Sequence, residues 1–337
     1  MIKRSALLVA TAFTLAACSD DSNTTATTAP ATAAPEAAAP AAVADDKLET
    51  RFVTIATGGA SGPYNIIATS LAEEYNKTYG VNSKTQTTGA SVENINLINQ
   101  DKVEMAFVMS DVLTDAINGE NSFPAKIDKV QQVAALYPNF VQVVTSQRSG
   151  IKTLDDLRGK RVAVGDQNSG VEVNARNLIQ GFGMTYDDLR VDYLGYAEAA
   201  DALKAGRIDA AFLTSGLPNA SLMELQQSFD LQMVEIPADR IAEIAKDKPF
   251  FVSLNIPQGT YGNDADVPTA AIQNALVIHK DVSEADGYKL TKTFFESLTR
   301  LESAHQAASA ISLEGAQSGL VAPLHPGAKK YYDEVAK

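Results

Sequence analysis

The sequence has little of what metal and redox sites need. Its 337 residues contain a single cysteine, Cys18, which makes no intramolecular disulfide. The three histidines, His279, His305 and His325, lie far apart and form no i, i+4 pair, so we expect no metal ion. The net charge is -13, the isoelectric point is about 4.7 and no run of Lys or Arg occurs, which disfavours nucleic acid as a ligand.

Common catalytic motifs are missing as well. The sequence contains no G-x-S-x-G elbow and no Walker-type lysine loop, and its first glycine turn does not follow G-x-G-x-x-G. A serine nucleophile needs a base, and no histidine lies near the serine-containing turns in sequence, although pairing through the fold stays open. We therefore expect a binding protein without a cofactor, and not an enzyme.

Residues 1–17 have the features of a secretory signal peptide, with Lys3 and Arg4 ahead of an apolar stretch too short to span a membrane. The segment runs into Leu-Ala-Ala-Cys at Cys18, which resembles a bacterial lipobox. In such signals the cysteine is acylated, for instance with palmitate, and becomes the mature N-terminus. The alternative is ordinary cleavage that leaves a free thiol. We expect Cys18 to be lipidated and to anchor the protein to a membrane without spanning it.

Residues 18–47 form a low-complexity segment of Ala, Thr and Pro. The segment has no periodic apolar face, so it cannot bury enough surface to offset the entropy of ordering. We expect a disordered tether that holds the folded body away from the membrane.

A strand, a glycine-rich turn and a helix open the folded body. Residues 52–56 are apolar and β-branched, as in a strand, and residues 64–77 have the apolar spacing of a helix. The turn between them contains Gly59 and Ser61, and Pro63 suits the first helical turn. Unpaired N–H groups and the helix dipole at such a start favour an anion. We expect one wall of a ligand cleft here; the alternative is a tight strand-helix connection and nothing more.

Small polar residues also follow the next two strands. Ser91 is expected to cap a helix at residues 92–99, and Asn94 lies in its first turn. Ser110 follows an apolar strand expected at residues 105–109. Ligands of open α/β sheets bind beyond the carboxyl ends of the strands, so these turns predict one donor-rich surface. Capping or turn chemistry explains each serine taken alone.

The order of strand, turn and helix returns in residues 160–220. Ser169 and Gly170 open the helix of this second series, and Ser215 follows one of its strands. Glu172 lies in the first turn of that helix. It either complements the helix dipole or accepts a hydrogen bond from an ammonium or hydroxyl group of a ligand, and both interpretations stay open.

Together these patterns predict an α/β fold with two lobes and a cleft between them. Pro138 and Asn139 split the apolar stretch at residues 130–144 into two runs. The second run, residues 140–145, is expected to leave the first lobe, and a run at residues 269–279 is expected to return to it. The ending, residues 285–310, is expected to be helical. We expect lobe 1 to comprise residues 48–143 and 278–337, and lobe 2 to comprise residues 144–277.

Several segments resemble a known family. They are ATGGASGPYNIIATSLAEEYN, TTGASVENINLINQDKVEMAFVMSDV, SGIKTLDDLRGKRVAVGDQNSGVEVNAR, YAEAADALKAGRIDAAFLTSGLPNA and APLHPGAKKYY. They cover the body from about Arg51 onward, and on them the chain resembles the TAXI-type solute receptors of tripartite ATP-independent periplasmic (TRAP) transporters. The resemblance implies a two-lobed type II periplasmic-binding-protein fold, with strand crossovers as the hinge.

The resemblance also implies a set of ligand contacts. Matched by motif, they are Gly59, Ser61, Tyr64, Ser91, Asn94, Ser110, Ser169, Gly170, Val171, Glu172 and Ser215. Val171 stands where the family often has threonine, so a contact there would use the backbone N–H group.

Receptors of this family capture small carboxylates, among them glutamate, glutamine and C5 dicarboxylates, and deliver them to TRAP membrane subunits. No arginine lies in the turns, and the nearest, Arg176, is expected to be solvated, so N–H groups and hydroxyls would hold the carboxylate. The implied location is the periplasm, on a lipid anchor. Two alternatives stay open: the ligand-binding input of a membrane sensor and, less favoured, a cleft hydrolase.

Overall fold

Two long strands run through the middle of the fold. They are β4 (Val130–Ser146) and β10 (Val267–His279), which pair antiparallel from His279 opposite Val130 to Ala271 opposite Phe140. Both strands are rich in β-branched and apolar residues, which suit a strand buried on both faces. The computed structural model describes residues 47–336, so the expected signal peptide, Cys18 and nearly all of the expected tether lie outside the described residues.

The break that the sequence suggested at Pro138 and Asn139 does not occur, because β4 continues through both residues. The pairing of β4 with β10 shifts register between Gln273 and Ala275, opposite this point. Proline lacks the N–H group of a regular ladder and is accommodated at such irregularities. The unbroken strand carries Asn139 into the centre of the sheet.

Eight further strands extend the sheet on either side in the order β2-β1-β3-β10-β4-β7-β5-β6, while β8 pairs with β4 and β9 with β10. They are β1 (Phe52–Ala56), β2 (Asn82–Gln86), β3 (Met105–Met109), β5 (Arg161–Ala163), β6 (Arg190–Asp192), β7 (Ala210–Ser215), β8 (Leu231–Val234) and β9 (Val252–Ile256). Strands β1, β2 and β3 are mutually parallel, as are β5, β6 and β7, whereas β10 and β4 pair antiparallel with β3 and β7. The sheet is therefore mixed.

Helices cover the sheet. They are α1 (Pro63–Tyr79), α2 (Ser91–Asn99), α3 (Ser110–Asn118), α4 (Gly170–Gly181), α5 (Tyr196–Lys204), α6 (Ala220–Leu225), α7 (Ala238–Ile244), α8 (Glu284–Glu296), α9 (Leu298–Ala304) and α10 (Pro326–Val335). We call the side with β1 to β3, α1 to α3 and α8 to α10 lobe 1, and the side with β5 to β9 and α4 to α7 lobe 2. The two-lobed α/β fold expected from the sequence is confirmed; the expected lobe boundaries stay a prediction.

Three apolar clusters fill the space between the sheet and the helices. One lies within lobe 1 and includes Ile67 and Phe294, and another lies within lobe 2 and includes Leu203. The third spans both lobes, because it holds Met109 of lobe 1 together with Val171 of lobe 2. The lobes are thus packed against one another at their apolar edges.

Two local expectations were wrong. Ser91 is the first residue of α2 and does not cap it, since Ala90 precedes the helix with a φ of 80° and the Ser91 hydroxyl accepts a hydrogen bond from the Met109 N–H group. The long helix expected near the C-terminus is divided at Ser297 into α8 and α9. Within residues 47–336, no helix is both long enough and apolar enough to cross a membrane.

Candidate ligand-binding cleft

The two glycine turns singled out in the sequence face one cavity between the lobes. Gly59 and Gly62 line it from lobe 1, and Ser169 and Val171 line it from lobe 2. The cavity encloses about 520 Å³ of space free of atoms, part of it open to solvent. Its position beyond the carboxyl ends of the strands is where open α/β sheets bind ligands.

The lobe 1 wall is built on the start of α1. Pro63 is the first helical residue, and Gly62 before it offers no side-chain cap. The hydroxyl of Tyr64 donates a hydrogen bond to Oδ1 of Asn274 and accepts one from Nδ2 of Asn139 at 3.2 Å. Burial raises the pKa of Tyr64 well above its ordinary value, so the hydroxyl stays protonated. The ring is thereby fixed against the central strands.

The lobe 2 wall is built on the start of α4. Ser169 caps this helix, since its hydroxyl accepts a hydrogen bond from the Glu172 N–H group at 3.0 Å. Among residues 47–336, the N–H groups of Gly170 and Val171 make no hydrogen bond. Gly165 lets the preceding turn pass close by, because its φ is 95° and an added Cβ atom would lie 2.6 Å from Cβ of Val171. Of these two residues Val171 lines the cavity, so the α4 start has a residue with a free backbone donor there.

Two residues that line the cavity carry unpaired polar atoms. Oδ1 of Asn139 and Oγ1 of Thr214 are buried, and neither has a hydrogen-bond partner within the described part of the chain. Both residues line the cavity. Buried polar atoms are nearly always paired in folded proteins, so these two mark a place where a ligand or water makes the missing bonds.

The cavity lining includes an acidic residue. Asp166 lines it, and burial, with smaller contributions from Glu198 and Glu93, raises the pKa of the Asp166 carboxyl group. No lysine or arginine is among the lining residues of the described chain. The acid is therefore held near the cavity without a cation to compensate it.

The structure brings five of the expected contact residues to the cavity: Gly59, Tyr64, Ser169, Val171 and Ser215. The hydroxyl of Ser215 is already occupied, because it accepts hydrogen bonds from Gln142 and Asn219. Whether any of the five touches a ligand stays a prediction.

The other expected contacts of lobe 1 do not line the cavity. Ser61 accepts a hydrogen bond from the Ser221 hydroxyl of the opposite lobe at 3.0 Å. Asn94 is buried and donates to the backbone oxygens of Thr57 and Phe107. Ser110 is buried as the first residue of α3. Ser61, Asn94 and Ser91, whose hydroxyl bonds to the backbone of β3, thus use their side chains in contacts within the protein.

In lobe 2, Gly170 and Glu172 also lie off the cavity lining. Glu172 forms an ion pair with Arg176, 3.3 Å between Nε and Oε1, and accepts a hydrogen bond from Tyr186. Arg176 is thus paired and part-buried, where the sequence suggested a solvated residue. Gly170 packs on Met109, since an added Cβ atom would lie 2.8 Å from Sδ.

Four polar lining residues were not anticipated: Asn139, Asp166, Tyr196 and Thr214. Asp166 lies in the same short turn as Ser169, so the expected position of that turn at the cleft could have indicated it. Tyr196 opens α5 and donates from its hydroxyl to the Thr214 carbonyl oxygen at 2.6 Å. Nothing local in the sequence marks Asn139 or Thr214, because each belongs to an apolar strand.

No metal centre is formed in the described part of the chain, where no three of His, Cys, Asp and Glu come together in a way that could hold an ion. His305 instead bonds through Nε2 to the Pro218 carbonyl oxygen, and His325 to that of Val282.

Comparison with known proteins places this architecture. Residues 55–335 match the NMT1-like family, which is more than half of the chain. The chain belongs to the NMT1-like family. This NMT1-like chain is also similar in fold to the periplasmic binding protein BugD, with 12% identity, a TM-score of 0.55 and coverage of 85% of this chain and 95% of that one.

Two further structures agree with this result. A periplasmic transporter structure is 15% identical with a TM-score of 0.53, over 86% of this chain and 93% of that one. A binding component of an ABC phosphonate transporter from Pseudomonas aeruginosa is 13% identical with a TM-score of 0.51, over 77% and 79%. At such low identity, these likenesses show that the NMT1-like chain has the fold of periplasmic binding proteins.

Proposed function

We propose that this NMT1-like protein is an extracytoplasmic solute receptor that closes two lobes on a small carboxylate and delivers it to the membrane component of a TRAP transporter. The observation that carries the proposal is the meeting of two helix starts, those of α1 and α4, at one cavity between lobes joined by two long strands. Strand connections of this kind permit a hinge motion, and a ligand that contacts both lobes favours the closed state.

The start of α4 is the proposed place for the carboxylate. The free N–H group of Val171, which lines the cavity, and the positive end of the helix dipole supply a donor and the partial charge that an anion needs. This arrangement takes the place of the arginine that the turns lack. The ligands expected from the resemblance are glutamate, glutamine and C5 dicarboxylates, and each carries a carboxylate for this position.

A hydrolase is the weaker candidate. Its nucleophile would be one of Ser61, Ser91 and Ser110, and the first two use their hydroxyls in hydrogen bonds to Ser221 and to the β3 backbone. The histidines bond elsewhere: His279 to Asp101, His305 to the Pro218 carbonyl oxygen and His325 to that of Val282, so none of them pairs with these hydroxyls in the described chain. A non-catalytic receptor needs neither a nucleophile nor a general base, so the same residues suit it better.

Titration calorimetry on the purified full-length protein in mild detergent tests the binding. We expect heat of binding with at least one of glutamate, glutamine, glutarate and 2-oxoglutarate. Gly59→Val should weaken it about tenfold or more, because the site of an added Cβ atom meets no atom within 4 Å and the side chain would occupy cavity space. Ala310→Val on the exposed surface is the matched control. Flat traces with all four ligands would contradict the proposal.

Uptake and labelling separate the remaining possibilities. Cells that lose the gene should lose uptake of the bound solute if the protein serves a TRAP transporter; intact uptake with altered gene expression would indicate a sensor. Labelling with palmitate should depend on Cys18 and disappear in Cys18→Ala if the protein is a lipoprotein of the cell envelope.

A further inference from the structure

One carboxylate in the cleft is left without a partner. Asp166 lines the ligand cavity and also the adjoining opening to solvent, which it shares with Thr88, Gly89, Gln167 and Tyr193. Its carboxyl group lies against the backbone of Gly195 and is half-buried. Within residues 47–336, neither side-chain oxygen takes part in a hydrogen bond or an ion pair, in contrast to the other acids nearby.

Those other acids are engaged. Glu93 accepts a hydrogen bond from the Gly89 N–H group at 2.6 Å, and Glu198 accepts one from the Gly195 N–H group at 3.3 Å. Both nevertheless repel the Asp166 charge, and burial adds to the cost of that charge. A cation at this position would be favoured by all three acids, and no side chain that lines the cavity in the described chain supplies one.

An independent observation in the same cavity points to a ligand with donors. The Asn139 side chain, only 2% exposed, gives its Nδ2 group to Tyr64 and leaves Oδ1 unpaired at the cavity. The amide thus presents an acceptor, and Asp166 presents acceptors at the mouth. A ligand that carries only carboxylates would set acceptor against acceptor at both places.

We propose that Asp166 is a specificity-determining residue that receives a protonated amine of the ligand, so that the cleft prefers amine-bearing carboxylates to dicarboxylates of the same carbon skeleton. This inference rests on the proposed function, since it assumes the carboxylate at the start of α4. The ammonium then satisfies the unpaired Asp166 carboxylate, and a further donor of the ligand, or a water molecule, satisfies Asn139.

A five-carbon series tests the assignment. Calorimetry compares glutarate with two carboxylates, glutamate with an added amine, 5-aminopentanoate with one group of each kind, and 1,5-diaminopentane with amines alone. We expect glutamate and 5-aminopentanoate to bind at least about tenfold more tightly than glutarate. Asp166→Asn, which keeps the shape and removes the charge, should weaken the two amine-bearing acids about tenfold and leave glutarate unchanged or tighter. Asp187→Asn at an exposed position is the control.

The outcomes are distinguishable. Glutarate binding as tightly as glutamate, or an equal loss for both in Asp166→Asn, would overturn the role of Asp166 and leave the receptor function standing. Binding of the diamine alone would support Asp166 and refute the carboxylate site, and no binding by any of the four would refute both. Should Asp166→Asn fail to fold, mass spectrometry of the molecule released from the denatured native protein decides, since it must carry an amine.

Discussion

Asn174 of α4 donates a hydrogen bond from Nδ2 to Oδ2 of Asp111 of α3 at 2.6 Å, and the pair links the two lobes. Both side chains are buried, and the remaining oxygen of each has no partner in the part of the chain that the structure describes. A protonated Asp111 can donate to the free oxygen of Asn174 and complete the pair, whereas an ionised Asp111 cannot. Burial raises the pKa of Asp111 to about 7, so this contact between the lobes changes its charge near neutral pH.

The first prediction concerns stability and pH. An unfolded aspartate ionises near pH 4, so between about pH 4 and pH 7 the folded protein holds a proton that the unfolded chain has lost. The stabilisation is fully present below about pH 4 and is lost as the pH rises through about 7. A difference of about three pKa units corresponds to at most about 4 kcal/mol. Urea unfolding at pH 5 and pH 8 measures it.

Asp111→Asn should remove this part of the pH dependence, because an amide does not titrate. Asp155→Asn, at an exposed position, should leave it in place. Other groups near Asp111 also titrate: Asp115 lies one turn further along α3, and burial raises the pKa of that carboxyl group too. An identical slope between pH 5 and pH 8 in the native protein and Asp111→Asn would show that Asp111 does not contribute.

The second prediction concerns closure of the lobes. A Cβ atom on Gly170 would lie 2.8 Å from Sδ of Met109 and 3.0 Å from Oγ of Ser91, both on the opposite lobe. Gly170→Ala should therefore keep the lobes apart without harming α4, in which alanine is the better helix former. We expect about tenfold weaker ligand binding and a larger radius of gyration by small-angle X-ray scattering. Unchanged binding and an unchanged radius would mean that Met109 simply moves aside.

The third prediction concerns the turn before α4. Gly165→Ala should destabilise the protein by about 2–4 kcal/mol, because the left-handed backbone disfavours a side chain and the new methyl group would overlap Val171. Gly59→Ala is a matched glycine in the opposite turn, where an added Cβ atom meets no atom within 4 Å, and it should cost less than about 1 kcal/mol. Chemical denaturation compares the two. Equal losses of unfolding free energy in the two variants would show that the close approach of Gly165 to Val171 does not make alanine unfavourable there.

Some features were readable from the sequence because they are local. The apolar runs of β1 and β3, the period of α1 and the glycine turn before α4 each follow from residues close in the chain. The direction of a hydroxyl is different: Ser91 turns toward the Met109 backbone, which only the pairing of distant elements brings near. The expectation of a cap failed for that reason.

Asn139, which lines the cavity, shows even more clearly that local sequence does not reveal contacts between distant elements. Asn139 reaches the cleft because β4 runs unbroken past Pro138 and pairs with β10, more than a hundred residues later in the chain. Pro138 and Asn139 within this apolar stretch predict a break, since turns also combine Pro and Asn. The position of Asp166 beside Ser169 could be predicted from the sequence. Its lack of a partner could not, because it depends on the hydrogen bonds that Glu93 and Glu198 make elsewhere.

The last prediction concerns Tyr64, the residue of α1 whose hydroxyl bonds to Asn139 of the central strand β4. Tyr64→Phe keeps the ring, which packs on Phe107, but removes the hydroxyl that bonds to both Asn139 and Asn274. Two buried amide groups then lose their partner, so the free energy of unfolding should fall by about 2 kcal/mol.

Tyr288→Phe is the matched control, since the Tyr288 hydroxyl donates to Glu334 at an exposed position, and its loss should cost less than about 0.5 kcal/mol. Urea denaturation measures both variants, and calorimetry with the bound solute follows the ligand. Because Asn139 is freed to turn, Tyr64→Phe should also lose selectivity among the five-carbon ligands, whereas Tyr288→Phe should keep it. If the two variants lose equal stability and bind the ligands alike, the hydrogen bonds of Tyr64 to Asn139 and Asn274 contribute neither to stability nor to ligand selectivity.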